Sequence, residues 1–434
     1  MTEDKSKYEL TVDFIMIVGK YLETSKDFVN VMKVCKKYQE LVSMYKFNPI
    51  EDISLFENIQ TQHFYTDKED NKKQNMFQYI YWYKKYNKDD RLNDNDIVKR
   101  MNCITNDIVN ENGNIQIPDS VIEIHDNKNS VHRSIKNVTF NESLKVLGPF
   151  SFIKSSIISI DIPKGVTKIG KCSFDQCPLK KVTLPSTLIE IGKCAFQDTN
   201  IKNLIIPDSV TYIGEKCFNN CYRLTNITLS SSLKKLNASS FRNCAIHSVN
   251  IPEGVTKIDN GCFNECLELS NVKLSSTLIK IGEEAFNNIS IETINIPDSV
   301  TKIGNYCFAN CSKLTSVKLS NKIKRLTDQM FSRTDISSID IPEGVTEISD
   351  CCFMYCSSLT KIILPKSLKI LGNCVFSYSN IKTVTLHENI RQIEGNCFAN
   401  CEKLKNIEVY NHNSVIYNAL KGSKVCITYL IDDD

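Results

Sequence analysis

The chain has 434 residues with 53 basic and 50 acidic side chains, a net charge of +3, and both signs are interspersed along it. That balance excludes the concentrated basic footprint of a nucleic-acid binder or of a protein held on an anionic membrane. No run approaches the ~18 consecutive apolar residues of a spanning helix, and neither the mixed-charge start MTEDKSKYEL nor the closing Asp432, Asp433 and Asp434 reads as a signal or anchor. No membrane insertion is therefore expected, and the expected location is cytoplasmic.

In chain order, the first predicted element is a helix over Leu10 to Leu22, with Leu10, Phe14, Val18 and Leu22 at the spacing of one helical face. Ser25 and Asp27 open a second helix, Phe28, Val31, Val34, Cys35, Tyr38 and Leu41 form its apolar stripe, and Asn48-Pro49 ends it. This pair resembles an F-box, whose second half runs acid-Leu, a gap, then Val-Cys-Lys-x-aromatic-x-x-Leu. Asp27, Phe28, Val34, Cys35, Lys36, Tyr38 and Leu41 match it in register, whereas Thr11 stands where the family has proline. The resemblance implies docking of a ubiquitin-ligase adaptor through Leu10, Phe14, Leu22, Phe28, Val34 and Tyr38. The alternative is a plain helical cap on the repeats that follow. Met76 to Tyr86, dense in aromatics around the single Trp82, is expected to be a further packed helix, so residues 1–110 read as a small α-helical domain.

From residue 111 a repeat takes over. The residue closing each short apolar run falls at Pro118, Asn141, Pro163, Pro185, Pro207, Ser230, Pro252, Ser275, Pro297, Ser320, Pro342, Pro365, His387 and Tyr410, in steps of 22 or 23. Ahead of each closing residue the pattern is apolar-x-x-apolar-x-apolar, as in Leu224, Ile227 and Leu229, which predicts a strand with alternate side chains inward. Pro-x-Ser or Pro-x-Gly supplies a turn, a second apolar pair follows (Val210 and Ile213), and five residues later stands a phenylalanine. Twelve of these, from Phe152 to Phe398, share one register and predict a phenylalanine spine, each ring set in a single helical turn. The first unit places Asn129 where the phenylalanine belongs, so residues 111–134 read as an atypical capping repeat, 135–425 as the solenoid and 426–434 as a tail.

A double period of 45 carries Cys-Phe-x-x-Cys at Cys217/Cys221, Cys262/Cys266, Cys307/Cys311, Cys352/Cys356 and Cys397/Cys401. Zinc would need four ligands converging on one ion, but the pairs recur two rungs apart, about 10 Å at strand spacing. The intervening rungs put Ala195, Ser240, Ala285, Met330 and Val375 in the first slot and Thr199, Cys244, Ile289, Thr334 and Ser379 in the second. These positions accept small residues, so the cysteines read as core fillers, and no metal or cofactor is expected. Six scattered histidines and no glycine-rich phosphate loop leave no constellation for catalysis, and no enzyme is expected.

The repeat as a whole resembles the BspA-like leucine-rich repeat family over residues 112 to 420. The resemblance implies a fold of class α+β: a leucine-rich-repeat solenoid with a parallel β-sheet, here preceded by the helical N-terminal domain. It also implies a non-enzymatic protein-interaction module. On that reading a protein partner meets the outward strand residues Asp161, Thr183, Ile205, Thr228, Asn250, Lys273, Asn295, Lys318, Asp340 and Ile363. Two alternatives follow from the same resemblances: a substrate receptor of a ubiquitin ligase, and a cell-surface adhesion protein.

Overall fold

The computed structural model describes residues 110–410, apart from residues 118, 120 and 127–130, together with strands at 61–64, 78–81, 84–85, 97–98, 100–102 and 426–430. Leu10 to Leu41, the F-box-like stretch, lies outside the described residues.

Each coil is built from three segments. The first is a three-residue strand such as Asn203–Ile205, in which Leu204 is buried and its two neighbours are exposed, as the alternating pattern requires. Pro207 then closes a turn, with the Val210 amide donating to its carbonyl at 2.9 Å. The second segment is a two-residue strand, here Tyr212–Ile213, again with one residue out and one in. Equivalent strands on successive coils pair parallel and in register, so Lys168, Glu190 and Tyr212 form one row and Ile169, Ile191 and Ile213 the buried row beside it.

The third segment carries the phenylalanine and is not a helical turn. Residues two before and two after each phenylalanine, from Phe152 to Phe398, have φ between 51° and 62°. A left-handed residue on either side breaks any helix and instead turns alternate N–H groups along the solenoid axis. Thus Cys172, Phe174 and Gln176 donate to the carbonyls of Lys193, Ala195 and Gln197 on the next coil, at 2.9, 2.8 and 2.9 Å. Each left-handed non-glycine residue costs about 1–2 kcal/mol, which Asn tolerates best. Asn220, Asn243, Asn288, Asn310 and Asn400 occupy the position two after the ring. Between the turns the twelve rings stack nearly parallel with centroids 5.3 to 5.8 Å apart, and they define the core's axis.

Coils approach most closely just after the second strand. A Cβ on Gly192 would lie 2.6 Å from the carbonyl carbon of Gly170, so only glycine lets the backbones close to that distance. Asn237 and Thr327 stand in this glycine's place at the two breaks in the second-strand ladder, whereas Asp259, Ser349 and Glu394 replace it with the ladder intact. Side chains bond across both gaps: Asn237 Nδ2 donates to Ile213 O at 2.6 Å, the acceptor the ladder would have used, and Thr327 Oγ1 to Gly304 O at 2.9 Å.

Two expectations are corrected. No helix occurs among the described residues, so the class is an all-β solenoid rather than α+β. Within the segment expected to be helical, Thr61–Phe64 pairs parallel with Gln78–Tyr81, which pairs with Ile97–Val98. Tyr79, Ile80 and Tyr81, read above as part of a helix, are residue types that favour strands. Partners here are 17 residues apart (61 to 78, 84 to 101), against 22 or 23 in the repeats that follow. The hydrogen bonding nevertheless continues: Lys84–Lys85 pairs with Arg100–Asn102, and Arg100–Asn102 with Glu123–His125, giving one seven-stranded ladder across residue 110. At the other end Cys426–Leu430, within the segment expected as a tail, pairs with Asn406–Tyr410. In the coil lacking a phenylalanine, His132 Nε2 lies 2.9 Å from Asp126 Oδ2, both side chains buried, and the two backbone amides donate to Ile153 and Pro149 of the next coil.

Phe263 is fully buried between two stacked rings, whereas Phe398 is only partly buried at the column's end. Phe263→Ala is expected to cost about 3–5 kcal/mol and Phe398→Ala clearly less, read as shifts of the urea unfolding midpoint. Gly192→Ala should destabilise measurably even though it adds a single methyl group, because the clash is with backbone.

Candidate functional site: the exposed strand face

All ten outward strand residues singled out above are exposed, and they form one row along the first-strand face. Pairing places Asp161 beside Thr183, Ile205 beside Thr228, Asn250 beside Lys273, Asn295 beside Lys318, and Asp340 beside Ile363. Most of these pairs are separated by breaks in the ladder, so the double period of the sequence reappears as strands hydrogen-bonded in twos. A second exposed row, two residues earlier, includes Lys181, Asn203, Asn226, Asn271 and Lys361. The same alternation that exposes the first row exposes this one, and sequence reasoning passed over it.

At the break between Lys181–Thr183 and Asn203–Ile205 the face opens into a groove of about 720 Å³ lined by Lys180, Thr183, Leu184, Asn203, Ile205 and Pro207 among others. It continues as a shallower depression past Thr228 to Ser248. Ile205 stands at its edge, 72 % exposed, and Ile363 is 62 % exposed further along the row. They stand seven rungs apart, about 34 Å at strand spacing. Between the two lie Thr228, Asn250, Lys273, Asn295, Lys318 and Asp340, an uncharged and mixed-charge stretch.

The ten-residue row differs from the second-strand face in how its polar groups are used, although in the row two residues earlier Asn226 Nδ2 donates to Asn203 Oδ1 at 2.7 Å. On the second-strand face charges pair within the chain: Lys168 Nζ lies 3.0 Å from Glu190, Arg325 Nη2 lies 3.0 Å from Glu347, and Asp259 receives both Lys235 and Lys257 at 2.6 Å. Among the described residues none of the ten strand-face residues makes a side-chain hydrogen bond or ion pair. Their binding capacity is unspent.

The paired cysteines face the core. Cys221, Cys266, Cys311, Cys356 and Cys401 donate S–H to the carbonyls of Phe196, Phe241, Phe286, Phe331 and Phe376 on the preceding coil, at 2.9 to 3.2 Å. The slot three after the ring is therefore a hydrogen-bonding position as well as a small one. Thr199 and Thr334 fill it with hydroxyls that instead donate to the carbonyls of Phe196 and Phe331 on their own coil. Burial pushes the Cys266 and Cys311 thiols up to about 12, which keeps them protonated donors. No cluster of three or more His, Cys, Asp or Glu among the described residues is arranged to hold a metal ion.

One buried acid stands out. Asp175 sits beside Phe174 with its Oδ1 unbonded; burial, then Asp198 on the next coil, pushes its carboxyl up to about 6. Because the folded state binds this proton more tightly than the unfolded state, its contribution is favourable below pH ~4 and is lost as pH rises through about 6. Asp175→Asn is expected to stabilise the protein at pH 7 by ~1–2 kcal/mol, allowing for solvent screening, and the gap should close below pH ~4 in urea titrations at each pH. In the cysteine slot, Cys266→Ser, which keeps a short, unbranched donor at the same atom position, is expected to unfold within about 1 kcal/mol of the parent. Cys266→Ala, which leaves the Phe241 carbonyl without its donor, should cost about 1–3 kcal/mol by the same measurement.

The geometry agrees with the comparisons to known proteins. A profile described as "BspA type Leucine rich repeat region" matches residues 109–164, 145–267, 234–360 and 326–430. Among solved structures, a leucine-rich repeat protein from Bacteroides ovatus is 23 % identical, the alignment covering 73 % of this chain and 84 % of that one with a TM-score of 0.57. A leucine-rich repeat protein from Eubacterium ventriosum is 21 % identical over 65 % of this chain and 83 % of that one, with a TM-score of 0.46. No curated protein matches. With stacked parallel coils in hand and the profile spanning all of the described repeats from residue 110 onward, the chain belongs to the BspA type leucine-rich repeat family.

Proposed function

We propose that this chain is a non-enzymatic interaction module that holds a protein partner along its first-strand face. The observation that carries the reading is the row from Asp161 to Ile363: exposed residues without partners in the chain, on a backbone fixed by three hydrogen-bonded ladders. Two exposed isoleucines about 34 Å apart, with uncommitted polar groups between them, match the span of a protein–protein interface of ordinary size rather than a small-molecule cleft. Apolar anchors supply the affinity in such an interface, and the surrounding polar groups set register and specificity. Rigidity helps in the same direction, since a face that is already ordered loses little entropy on binding. Docking of a ubiquitin-ligase adaptor rests on Leu10 to Leu41, outside the described residues, and no structural observation favours it.

The test uses the full chain with a photoreactive phenylalanine analogue placed at 205 or 250 on the strand face, or at 302 or 347 on the second-strand face. Irradiation in cells is expected to yield a discrete protein adduct from 205 and 250, at least tenfold weaker from 302 and 347, and lost from 250 in an Ile205→Asp background. Equal adducts from all four positions, or adducts only from 302 and 347, would contradict the reading.

A further inference from the structure

Sixteen described cysteines are free, and most are buried against the phenylalanine column. Four are placed differently. Cys172 and Cys194 occupy the position two before the ring on adjacent coils, and Cys351 and Cys374 occupy it on another adjacent pair. All four have φ of 53° to 55°, so the two backbones of each pair are copies of one conformation stacked one rung apart. The rungs are tied directly. The Cys172 amide donates to Lys193 O at 2.9 Å, one residue before Cys194, and the Cys351 amide to Asn373 O at 2.8 Å, one residue before Cys374. Cys194, Cys351 and Cys374 are partly exposed, and Cys172 lies just beneath the surface.

We propose that Cys172 with Cys194, and Cys351 with Cys374, form two dithiol sites on the outside of the phenylalanine turn, each closing to a cross-rung disulfide when a small-molecule disulfide is supplied. Equivalent Cα atoms on neighbouring rungs stand about 4.8 Å apart, inside the 4.4–6.8 Å range of disulfide-linked residues. The core cysteines differ, because their thiols are buried and engaged with carbonyl groups of the preceding coil. Within the first pair the roles divide. The two thiols act on each other, and with Lys193 and Lys216 nearby Cys194 is lowered to about 7 while Cys172 is held well above the ordinary range. A thiolate at Cys194 is the attacking group.

With glutathione disulfide as the oxidant, the Cys194 thiolate attacks one sulfur, the glutathione S–S bond breaks, and one glutathione leaves as a thiolate that takes up the Cys172 proton. Cys172 then attacks Cys194 Sγ, breaking the mixed disulfide and releasing the second glutathione. Two protein thiols are oxidised and one glutathione disulfide is reduced to two thiols.

The full-length native protein is incubated with glutathione disulfide, quenched with acid, alkylated and mapped by tandem mass spectrometry. The expected result is a 172–194 link and a 351–374 link, each reversed by dithiothreitol. In Cys172→Ser, glutathione should remain on Cys194 while the 351–374 link still forms, which reports that the variant is folded. Serine is compatible with this backbone, since Ser239 holds the same register position at φ 53°. Glutathione accumulating singly on Cys194 and Cys374 of the parent protein without either link, or links joining core cysteines instead, would overturn the proposal.

Discussion

The structure depends on the spacing at which one phenylalanine turn stacks on the next. Ring stacking at about 5.5 Å and three axial N–H to carbonyl bonds per coil demand nearly the same rise, so neither can relax without disturbing the other. Each ring contributes on the order of a few kcal/mol through burial and stacking, similar to the cost of the two left-handed residues that frame it. No single rung is strongly favourable alone. Repetition makes the column stable, because every coil supplies the surface on which its neighbour is ordered.

That spacing explains the choice of residues in the other layers. Glycine after the second strand lets backbones approach, and at Asn237 and Thr327, where the ladder parts, a side chain bonds across the gap. A thiol three residues after the ring reaches the carbonyl group of the preceding phenylalanine, a bond a methyl group cannot make. The first strands are under a looser constraint and pair in twos over most of their length, joining into a four-stranded sheet only from Lys361–Ile363 onward. Variation is tolerated there, and there the uncommitted side chains and the groove beside Ile205 are found.

Much of this was legible in the sequence because a period repeated a dozen times magnifies weak signals. The alternation around Leu204 placed Ile205 on the surface, and twelve phenylalanines in one register announced the column. The turn conformation was missed although it also left a trace: asparagine recurs two residues after the ring at 220, 243, 288, 310 and 400, and asparagine is the side chain most tolerant of the left-handed region. The donor role of the cysteines was hidden because size and hydrogen bonding select similar residues at that slot. The strands between Thr61 and Asn102 were obscured for a different reason. Their 17-residue spacing falls outside the 22/23 period by which the repeats were recognised, and the aromatic run around Tyr79 satisfies a helical pattern as readily as an extended one.

Amide hydrogen exchange resolved to single residues tests most directly whether the phenylalanine column sets the register of the whole solenoid. The amides of Phe196, Phe218, Phe241, Phe263 and Phe286, each donated to the following coil, should exchange as one slow group that is released only when neighbouring coils open together. Exchange of these five amides at unrelated rates, or at the rate of an unprotected peptide while the strand amides stay protected, would contradict it.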